Sequence, residues 1–443
     1  MKIEYGTSAF NRTRGNLPPL RLVNLFAEQG KAGDPVVLQS FRGIVVDSTH
    51  GSGPIRGTFQ RDGVFNGDKF VVSGTEFYRG STLLGTIAGD GVVSIASSDL
   101  ELLVTAGSTL YSYNGTDFVA VSFPDDAGVT AVVHTAGYFV AIRAGTGQWY
   151  FSAVLDGRTW DGLDFATAES EPDYLLDMTV LDGILVLAGS QSIEFWAPSG
   201  NQDLPFTKIQ QREFEQGLAA TGCIVSVDNT FFFLGSDLIL YRNGEVPTAV
   251  ADNAIVEASQ ASTTYRLFLL TDERHKFIYL RLDNKTYGLD ITTNQWTERM
   301  SYGRDNWRVG AGMGDDETGT VWRFDGYLDN GGPMERLFTA GSLLESPFQV
   351  RNLRLSAEVG TTPYLNGDYA NPQIEMRSSD DGGNLWSDWE SEELGAQGEY
   401  GNRVEFRALG MFADPGMLFQ FRITDPVSVR ISNVQVNAPK GGR

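Results

Sequence analysis

Three aspartates that could do chemistry, Asp156, Asp161 and Asp164, lie close together in a glycine-containing stretch. Carboxylates at such spacing could act as a general acid and base or hold Ca²⁺, although the spacing does not match an EF-hand loop. Solvated acids in turns are the commoner explanation, and it also fits the run Asp315-Asp316-Glu317. We therefore predict no catalytic residue and no metal site at these positions.

The other reactive residue types are few and scattered. The one cysteine, Cys223, is followed by apolar residues and resembles a buried core position. A single cysteine excludes an internal disulfide and a cysteine-rich metal site. No G-x-S-x-G elbow, Walker A loop or G-x-G-x-x-G motif is present. We expect no enzyme and no cofactor, and we expect ordinary structural roles for the three histidines, His50, His134 and His275.

The most specific local motif is an Asp-box, S-x-D-x-G-x-x-W, made of Ser379, Asp381, Gly383 and Trp386. In such a turn the Ser and Asp side chains bond backbone groups, the glycine permits a positive φ, and the Trp ring packs beneath. We predict that these four residues stabilise a hairpin. Because Asp-boxes recur in sialidases, a glycan-binding or sialidase-like propeller is the alternative function.

The charge balance limits the possible partners. The chain has 34 basic and 56 acidic residues, a formal net charge of −22. Proteins that bind nucleic acid tightly replace phosphate counterions with Lys and Arg, so this balance argues against tight DNA binding over the whole surface. Four basic positions near the C-terminus would suit an acidic partner, although a solvated strand face explains them equally well: Arg351, Arg354, Arg403 and Arg407.

The composition favours strands and turns. Glycine provides 51 of 443 residues and aromatic residues provide 12%, a combination typical of many short strands joined by tight turns. Only residues 211–220 and 252–260 are expected to form short helices. The start of the chain lacks the pattern of a secretory signal, and the apolar runs fall short of the roughly 20 residues that span a bilayer. We expect a soluble, all-β protein.

A recurring hairpin pattern organises most of the chain. An apolar strand is followed by a Gly- or Asp-rich turn and a second strand that often contains aromatic residues. The copies recur at about the spacing of four-stranded propeller blades, roughly 40 to 50 residues. Seven signatures are present, at 70–80, 102–115, 138–151, 184–196, 231–244, 277–290 and 320–326.

These patterns predict an all-β fold with a β-propeller of six to seven blades at residues 51–340. A C-terminal antiparallel β-sandwich-like domain follows at 341–443, where strands alternate between apolar and polar residues. Residues 1–50 are expected to be an N-terminal extended or docking segment, and a strand from it, at 36–38 or 44–46, could close the ring. A large β-sandwich or β-solenoid is the alternative architecture.

The N-terminal segment carries a family resemblance. The stretch LRLVNLFAEQGK at 20–31, followed by VVLQSFRGI at 36–44, is similar to the opening of the packaged-DNA stabilisation proteins, the tail hub or nozzle of short-tailed bacteriophages. The sequence departs from that pattern at Phe26, where tyrosine is usual, and at Ser40-Phe41-Arg42, where a Pro-rich triplet is common. The resemblance brings no catalytic residue with it.

The resemblance implies a structural protein of the virion tail, assembled in the host cytoplasm. It implies a hexamer below the portal and adaptor ring that retains packaged double-stranded DNA and forms the channel for its ejection. Tail fibres, tailspikes or a needle protein would be partners, and no membrane is expected in the mature particle. A scaffold propeller that binds a peptide at the mouth of its axis is a third possible function.

Overall fold

The computed structural model describes residues 1–6, 8, 21–29, 36–168 and 171–437. Position 20 and positions 30–31 of the N-terminal motif, other parts of the 1–50 segment, and residues 438–443 of the C-terminal domain lie outside the described residues. Strands and turns dominate the described residues, and together with the family findings below they confirm the predicted all-β fold. No helix within these ranges is long and apolar enough to cross a membrane.

The first 50 residues contribute five strands that are shared between two bodies. The strand β5 joins the propeller, whereas the others pair with the C-terminal sandwich or join it to the propeller. The domain boundaries at residues 50 and 340 remain predictions from the sequence. These strands are β1 (Lys2–Tyr5), β2 (Leu22–Val23), β3 (Leu25–Glu28), β4 (Val37–Ser40) and β5 (Ile44–Thr49).

Six propeller blades, each an antiparallel meander of four consecutive strands, follow in the described chain. Blades 1 to 3 are β6 (Ile55–Phe59), β7 (Phe70–Ser73), β8 (Glu76–Arg79), β9 (Thr82–Thr86); β10 (Ser94–Ser97), β11 (Leu102–Ala106), β12 (Thr109–Tyr113), β13 (Phe118–Ala120); β14 (Val129–Thr135), β15 (Tyr138–Arg143), β16 (Gln148–Phe151) and β17 (Phe165–Thr167). Blades 4 to 6 are β18 (Leu175–Leu181), β19 (Ile184–Gly189), β20 (Ile193–Pro198), β21 (Phe206–Phe214); β22 (Ile224–Val227), β23 (Thr230–Leu234), β24 (Leu240–Arg242), β25 (Thr248–Ala249); β26 (Arg266–Asp272), β27 (His275–Arg281), β28 (Thr286–Asp290) and β29 (Gln295–Arg299).

Neighbouring blades bury the apolar faces of their sheets against each other. In β11 all five residues are buried, and Leu102 and Val104 pack against Phe70 and Phe77 of the preceding blade. A strand that is covered on both faces has no solvated side, which explains why four of its five residues are apolar. The hairpin signatures therefore mark the second and third strands of each blade.

A closing sheet lies between blades 6 and 1 and combines distant parts of the chain. Its strands are β30 (Thr320–Phe324), β31 (Leu328–Asp329), β32 (Gly332–Pro333) and the N-terminal β5. The seventh signature, 320–326, is not a hairpin with its own sequence neighbour, because β30 pairs with β5 from Thr49 to Ile44. Of the two proposed closing strands, 44–46 is therefore the correct one.

Helical structure is sparse. The predicted helix at 252–260 is confirmed as α1 (Asn253–Gln260). The predicted helix at 211–220 is wrong, because Phe214 at the end of β21 pairs with Ile193 and packs against Phe195. Single turns of 3-10 helix occur at Phe65–Gly67, Pro124–Asp126 and Ala311–Met313.

The C-terminal body is a two-sheet sandwich. One sheet has the order β33-β38-β35-β36, and the other runs β4-β39-β34-β37, with β1 pairing to both β33 and β39. The core between them includes Phe338, Phe406 and Phe421. The strands are β33 (Arg336–Leu343), β34 (Phe348–Ala357), β35 (Gln373–Ser379), β36 (Glu390–Glu393), β37 (Val404–Phe412), β38 (Gly416–Ile423) and β39 (Arg430–Val436).

Candidate functional site

The N-terminal motif forms the junction between the propeller and the sandwich. Val23 in β2 pairs in parallel with Glu298 of blade 6, and on its other side Leu22 pairs with Phe338 of the sandwich. Leu22 and Val23 are fully buried. Leu22 and Val23 thus join the propeller sheet and the sandwich sheet into one hydrogen-bonded sheet. This is the structural role of the N-terminal motif.

Asn24 turns the chain immediately after this short strand. Its φ of +52° lies in the left-handed region, which asparagine tolerates better than most residues. The side-chain amide donates hydrogen bonds to the carbonyls of Met300 (3.1 Å) and Glu335 (2.8 Å). The asparagine therefore holds the end of the propeller beside the first strand of the sandwich.

A cluster of ion pairs around the buried carboxylate of Glu298 flanks β2. Arg21 reaches Glu298 with an Nη2–Oε1 distance of 2.9 Å, and Lys285 reaches the same carboxylate at 2.6 Å. Burial alone would raise the pKa of Glu298, but the hydrogen bonds and charges of Arg21 and Lys285 outweigh burial and lower it. The Glu298 carboxylate therefore stays ionised and binds both Arg21 and Lys285.

Arg299, the last residue of β29, is a buried cation. The guanidinium of Arg299 is sandwiched between the rings of Phe41 (3.9 Å) and Trp307 (4.4 Å), and Phe26 packs against Phe41. Burial lowers the pKa of Arg299. Cation–π contacts of this kind stabilise a desolvated guanidinium. Sequence analysis missed this role, because an isolated arginine carries no signal that distinguishes it from a solvated one.

The propeller axis is obstructed at the end where the inner strands begin. Arg266 of blade 6 donates a hydrogen bond from Nη2 to the carbonyl of Arg56 in blade 1 at 2.6 Å. Gly222, at the entry to blade 5, lies so near Val92 that a β-carbon would meet that side chain at 3.4 Å. Asp177 fixes Gly222 by accepting its backbone N–H at 2.8 Å. Burial raises the pKa of Asp177 to about 6.

The aspartates at 156–164 serve their own loop. Asp156 accepts hydrogen bonds from the Arg158 backbone (2.9 Å) and the Thr159 hydroxyl (2.8 Å), which lower its pKa. Asp161 accepts one from the Leu163 backbone at 2.9 Å. Burial raises the pKa of Asp164. The carboxylates of Asp156 and Asp161 thus accept hydrogen bonds from their own loop.

The second acidic run, at 315–317, has structural contacts. Asp315 accepts hydrogen bonds from the backbones of Glu317 and Thr318 at 2.9 and 2.7 Å. Asp316 forms ion pairs with Arg281 and Arg304. In the described ranges no three His, Cys, Asp or Glu side chains lie close enough to hold a metal ion.

The three histidines and the cysteine lie in different surroundings. His275 shares a 2.8 Å hydrogen bond with Asp290, which raises the histidine pKa. Burial lowers the pKa values of His50 and His134. Cys223 is buried, and burial raises the pKa of its thiol to about 12, a value that leaves it protonated at neutral pH.

The Asp-box residues form a network within one turn of the sandwich. Ser379 donates a hydrogen bond to Asp381 (2.8 Å), and Gly383 N–H donates to the Ser379 hydroxyl (2.9 Å). Asp381 also accepts from the backbones of Asn384 and Leu385, and these contacts lower its pKa. Trp386 Nε1 donates to the carbonyl of Gly383 at 3.0 Å. The stabilising role of the turn stays a prediction.

A comparable tryptophan turn in blade 3 escaped the sequence analysis. Trp160 Nε1 donates to the carbonyl of Gly157 at 2.8 Å, as Trp386 does three residues after its own glycine. Gly157 N–H donates to the buried Glu101 of blade 2 at 2.7 Å. The shared signal is a tryptophan three residues after a glycine, with an aspartate one or two positions before that glycine.

The basic positions near the C-terminus are placed on the second sheet of the sandwich or beside it. Arg354 lies directly opposite Glu405 across β34 and β37, and Arg407 reaches Glu405 at 3.3 Å. Arg351 and Arg403 are exposed. Arg407 is therefore paired with a carboxylate of this chain, and Arg354 lies across from the same residue.

Comparison with known proteins supplies two family matches and one curated relative. The family described as "Bacteriophage P22 Gp10, beta-propeller" matches residues 17–309, and "Bacteriophage P22 Gp10, beta-sandwich" matches residues 339–439. The tail hub protein gp10 of Salmonella phage P22 is 24% identical over 179 residues, which cover 37% of this chain and 38% of that protein. The matched part thus spans well under half of the relative's length.

Several solved structures are also similar. Hsv2 of Kluyveromyces lactis is 10% identical and covers 63% of this chain and 97% of its own, with a TM-score of 0.34. An exo-β-1,3-galactanase from Phanerochaete chrysosporium is 11% identical and covers 83% of this chain and 100% of its own, with a TM-score of 0.33. Both TM-scores are below 0.5, so neither likeness supports an argument about this protein.

Proposed function

Because the chain belongs to the bacteriophage P22 Gp10 family, we propose that it is a structural hub protein of a phage tail. The observation that carries this proposal is the matching of both family domains, propeller and sandwich, to the same chain in the same order. The junction supports it, since the N-terminal motif binds the two domains into one sheet. The expected location is the tail of the virion.

The proposed DNA channel lies between copies of the chain. A passage for a DNA duplex must be wider than about 12 Å, because the major groove alone has that width. At one end of the propeller Arg266 of blade 6 bonds to Arg56 of blade 1, and Gly222 at the entry to blade 5 lies close to Val92 at the entry to blade 2. We therefore expect a duplex to pass between copies in a ring and not through one propeller. We propose a hexamer, placed below the portal and adaptor ring.

The negative charge suits a channel that confines DNA without binding it. Phosphates and carboxylates repel each other, so an acidic lining keeps the barrier to sliding low while the ring retains the packaged genome. Six copies carry 6 × −22 = −132 formal charges. Since like charges held together are costly, we expect contacts between copies to use apolar or mixed-charge surfaces.

Further proposed partners are tail fibres, tailspikes or a needle protein at the distal end of the ring. No catalytic step forms part of this proposal. The Asp-box gives no support to the glycan-binding or sialidase-like alternative, because Ser379 and Asp381 direct their oxygens to the turn itself. A tail hub is therefore the single function proposed.

Particles assembled without this protein test the proposal. DNA-filled heads that lack it should lose their DNA to an external nuclease, and addition of the purified full chain should restore retention. Purified chain alone should leave a DNA duplex unshifted in an electrophoretic assay at physiological salt. Equal nuclease resistance with and without the protein would contradict a role in DNA retention.

A further inference from the structure

Asparagine followed by glycine is a chemically labile pair, and the chain contains five such pairs. The backbone nitrogen of the glycine can attack the side-chain amide carbon of the asparagine, and glycine favours this step because it has no β-carbon and rotates freely. The reaction requires a free glycine N–H and a free asparagine side chain. All five pairs lie within the described residues, at 66–67, 114–115, 243–244, 330–331 and 366–367.

Two of the pairs are held by hydrogen bonds of their own turns. The N–H of Gly67 donates to the carbonyl of Val64 at 2.9 Å, so the nucleophile that follows Asn66 is engaged. The side-chain oxygen of Asn114 accepts the N–H of Asp117 at 2.8 Å, which fixes the Asn114 side chain within its turn. In each pair one of the two reacting groups is therefore occupied.

Two further pairs are fixed by the sheets that carry them. The backbone N–H of Asn243 donates to the carbonyl of Phe231 at 2.9 Å, and the Asn243 side-chain oxygen is buried. The N–H of Asn330 donates to the carbonyl of Ile44 at 2.8 Å. Asn330 (φ +49°) and Gly331 (φ +83°) form the two-residue turn between β31 and β32. Rotation into the geometry of attack would break these hydrogen bonds.

The fifth pair lies at the tip of the loop that joins β34 to β35. Below the tip the loop is closed by the Thr362 hydroxyl, which donates to the carbonyl of Tyr369 at 3.0 Å. The rings of Tyr364 and Tyr369 also lie in contact, with centroids 5.5 Å apart. Asn366 and its glycine, above this closure, are exposed. The loop therefore has a fixed base and a solvated tip.

Both reacting groups of this fifth pair are free. Within the ranges that the structure describes, neither the Asn366 side chain nor the N–H of Gly367 has a hydrogen-bond partner. The carbonyl of Gly367 accepts the N–H of Ala370 at 3.1 Å, but this oxygen takes no part in the reaction. Nothing lies within 4 Å of the place of a β-carbon on Gly367, so the tip has room for a five-membered ring.

We propose that Asn366 is a site of spontaneous deamidation in the folded protein, with water as the co-reactant. The Gly367 nitrogen bonds to Cγ of Asn366 and loses its proton to water, while the Cγ–Nδ2 bond breaks and ammonia leaves. Water then opens the resulting succinimide at either carbonyl, which gives aspartate or isoaspartate. Because the tip is unpacked, the product keeps its fold and gains one negative charge. The proposal does not depend on the role in a phage tail.

Peptide mass mapping of the full chain, incubated in mildly alkaline buffer, tests the proposal. In the folded chain Asn366 should convert about tenfold faster than each of the other four asparagines. In concentrated urea, which removes the turns and sheets, all five should convert at similar rates. Gly367→Ala places a β-carbon beside the nucleophile and should slow conversion at position 366 about tenfold. Gly137→Ala, at the same φ of +85° and in equally open surroundings, is the matched control and should leave that conversion unchanged.

The same measurements can overturn the proposal. Conversion of Asn366 in the folded chain no faster than that of Asn66 or Asn114 would show that the tip is protected. Unchanged conversion in Gly367→Ala would exclude the Gly367 nitrogen as the nucleophile. Asn366→Asp, which carries the aspartate product, should melt at the temperature of the parent chain. A lower melting temperature for this variant would contradict an unpacked tip.

Discussion

Blades 2 to 5 and the closing sheet occupy equivalent places in one ring, but they assemble their strands differently. Each of these blades uses four consecutive strands joined by short turns or loops. In the closing sheet Ile44 pairs with Phe324, which lies 324 − 44 = 280 residues later. The junction repeats this long-range pattern, since Val23 pairs with Glu298. Local pairing builds the blades, and distant pairing closes the molecule.

This difference predicts where the fold is most vulnerable. A contact between distant residues must first offset the entropy of closing a long loop, whereas a hairpin closes a short one. The two bodies are held together by a few N-terminal residues with complete burial, such as Leu22 and Val23. We therefore expect mutations in these strands to affect the whole molecule and mutations in blade edges to remain local.

The largest effect is expected for Leu22→Ala. Removing this fully buried side chain leaves a cavity between blade 6 and Phe338 of the sandwich, at a cost of about 2–5 kcal/mol. Urea unfolding followed by circular dichroism should show the loss and separate transitions for propeller and sandwich. The control, Leu83→Ala on the exposed edge of blade 1, should stay within about 0.5 kcal/mol. Similar losses for both variants would remove the distinction between junction and blade edge.

The next effect is expected at the closing sheet. A β-carbon on Gly43 would lie 2.0 Å from the carbonyl oxygen of Leu328, so Gly43→Ala forces the backbone of the sheet apart. We expect a loss of about 1–3 kcal/mol in the free energy of unfolding. Gly91→Ala is the matched control, because nothing lies within 4 Å of its added β-carbon. A tolerated Gly43→Ala would show that the ring closes less tightly than the contacts indicate.

A smaller, local effect is expected in the Asp-box. Asp381→Ala removes the acceptor of several backbone N–H groups, a loss comparable in kind to that of a helix cap, and should lower the melting temperature. The neighbouring Asp380→Ala is the control, since Asp380 is exposed. Thermal melting followed by the fluorescence of Trp386 should reveal the difference. Identical melting of the two variants would reject the predicted stabilising role of Asp381.

The smallest effects concern pH, and here the two regions should respond with opposite signs. The lowered pKa of Glu298 at the junction means that its contribution is present above its ordinary value of 4.5 and is lost as pH falls. The raised pKa of Asp177 beside the axis means that the native state retains a proton that the unfolded chain releases. Its contribution is therefore present below 3.8 and is lost as pH rises toward about 6.

Two variants separate these contributions in urea titrations across the acid range. Glu298→Gln should remove part of the stability loss on acidification, whereas Asp177→Asn should remove part of the loss on raising pH through the window below about 6. If neither variant changes the pH profile of stability, the pKa of Glu298 is not lowered and the pKa of Asp177 is not raised in the folded protein.

The sequence revealed the local part of the structure better than the distant part. Mainly apolar strands such as 102–106 and the turns after them identified the blades, because each blade is built from neighbouring residues. The pairing of Thr320–Phe324 with β5 could not be read from either segment, since each partner lies far away. The helix expected at 211–220 failed because the pairing of Phe214 with Ile193 overrides local preference.

The candidate site shows the same division. The residues of the Asp-box were recognisable because its contacts lie within a few positions of each other. The motif at 20–31 signalled a family, but its physical role at the junction required the partners Glu298 and Phe338. The enclosure of Arg299 by Phe41 and Trp307 depends on three separate segments, so no local pattern announces it.

Electron cryomicroscopy of DNA-filled particles tests the central claim most directly. The account predicts a ring of copies at the portal vertex, with duplex density along the ring axis, bordered by several chains, and no DNA inside any single propeller. Duplex density that passes through the axis of one propeller, or a ring lumen lined by lysine and arginine, would contradict it.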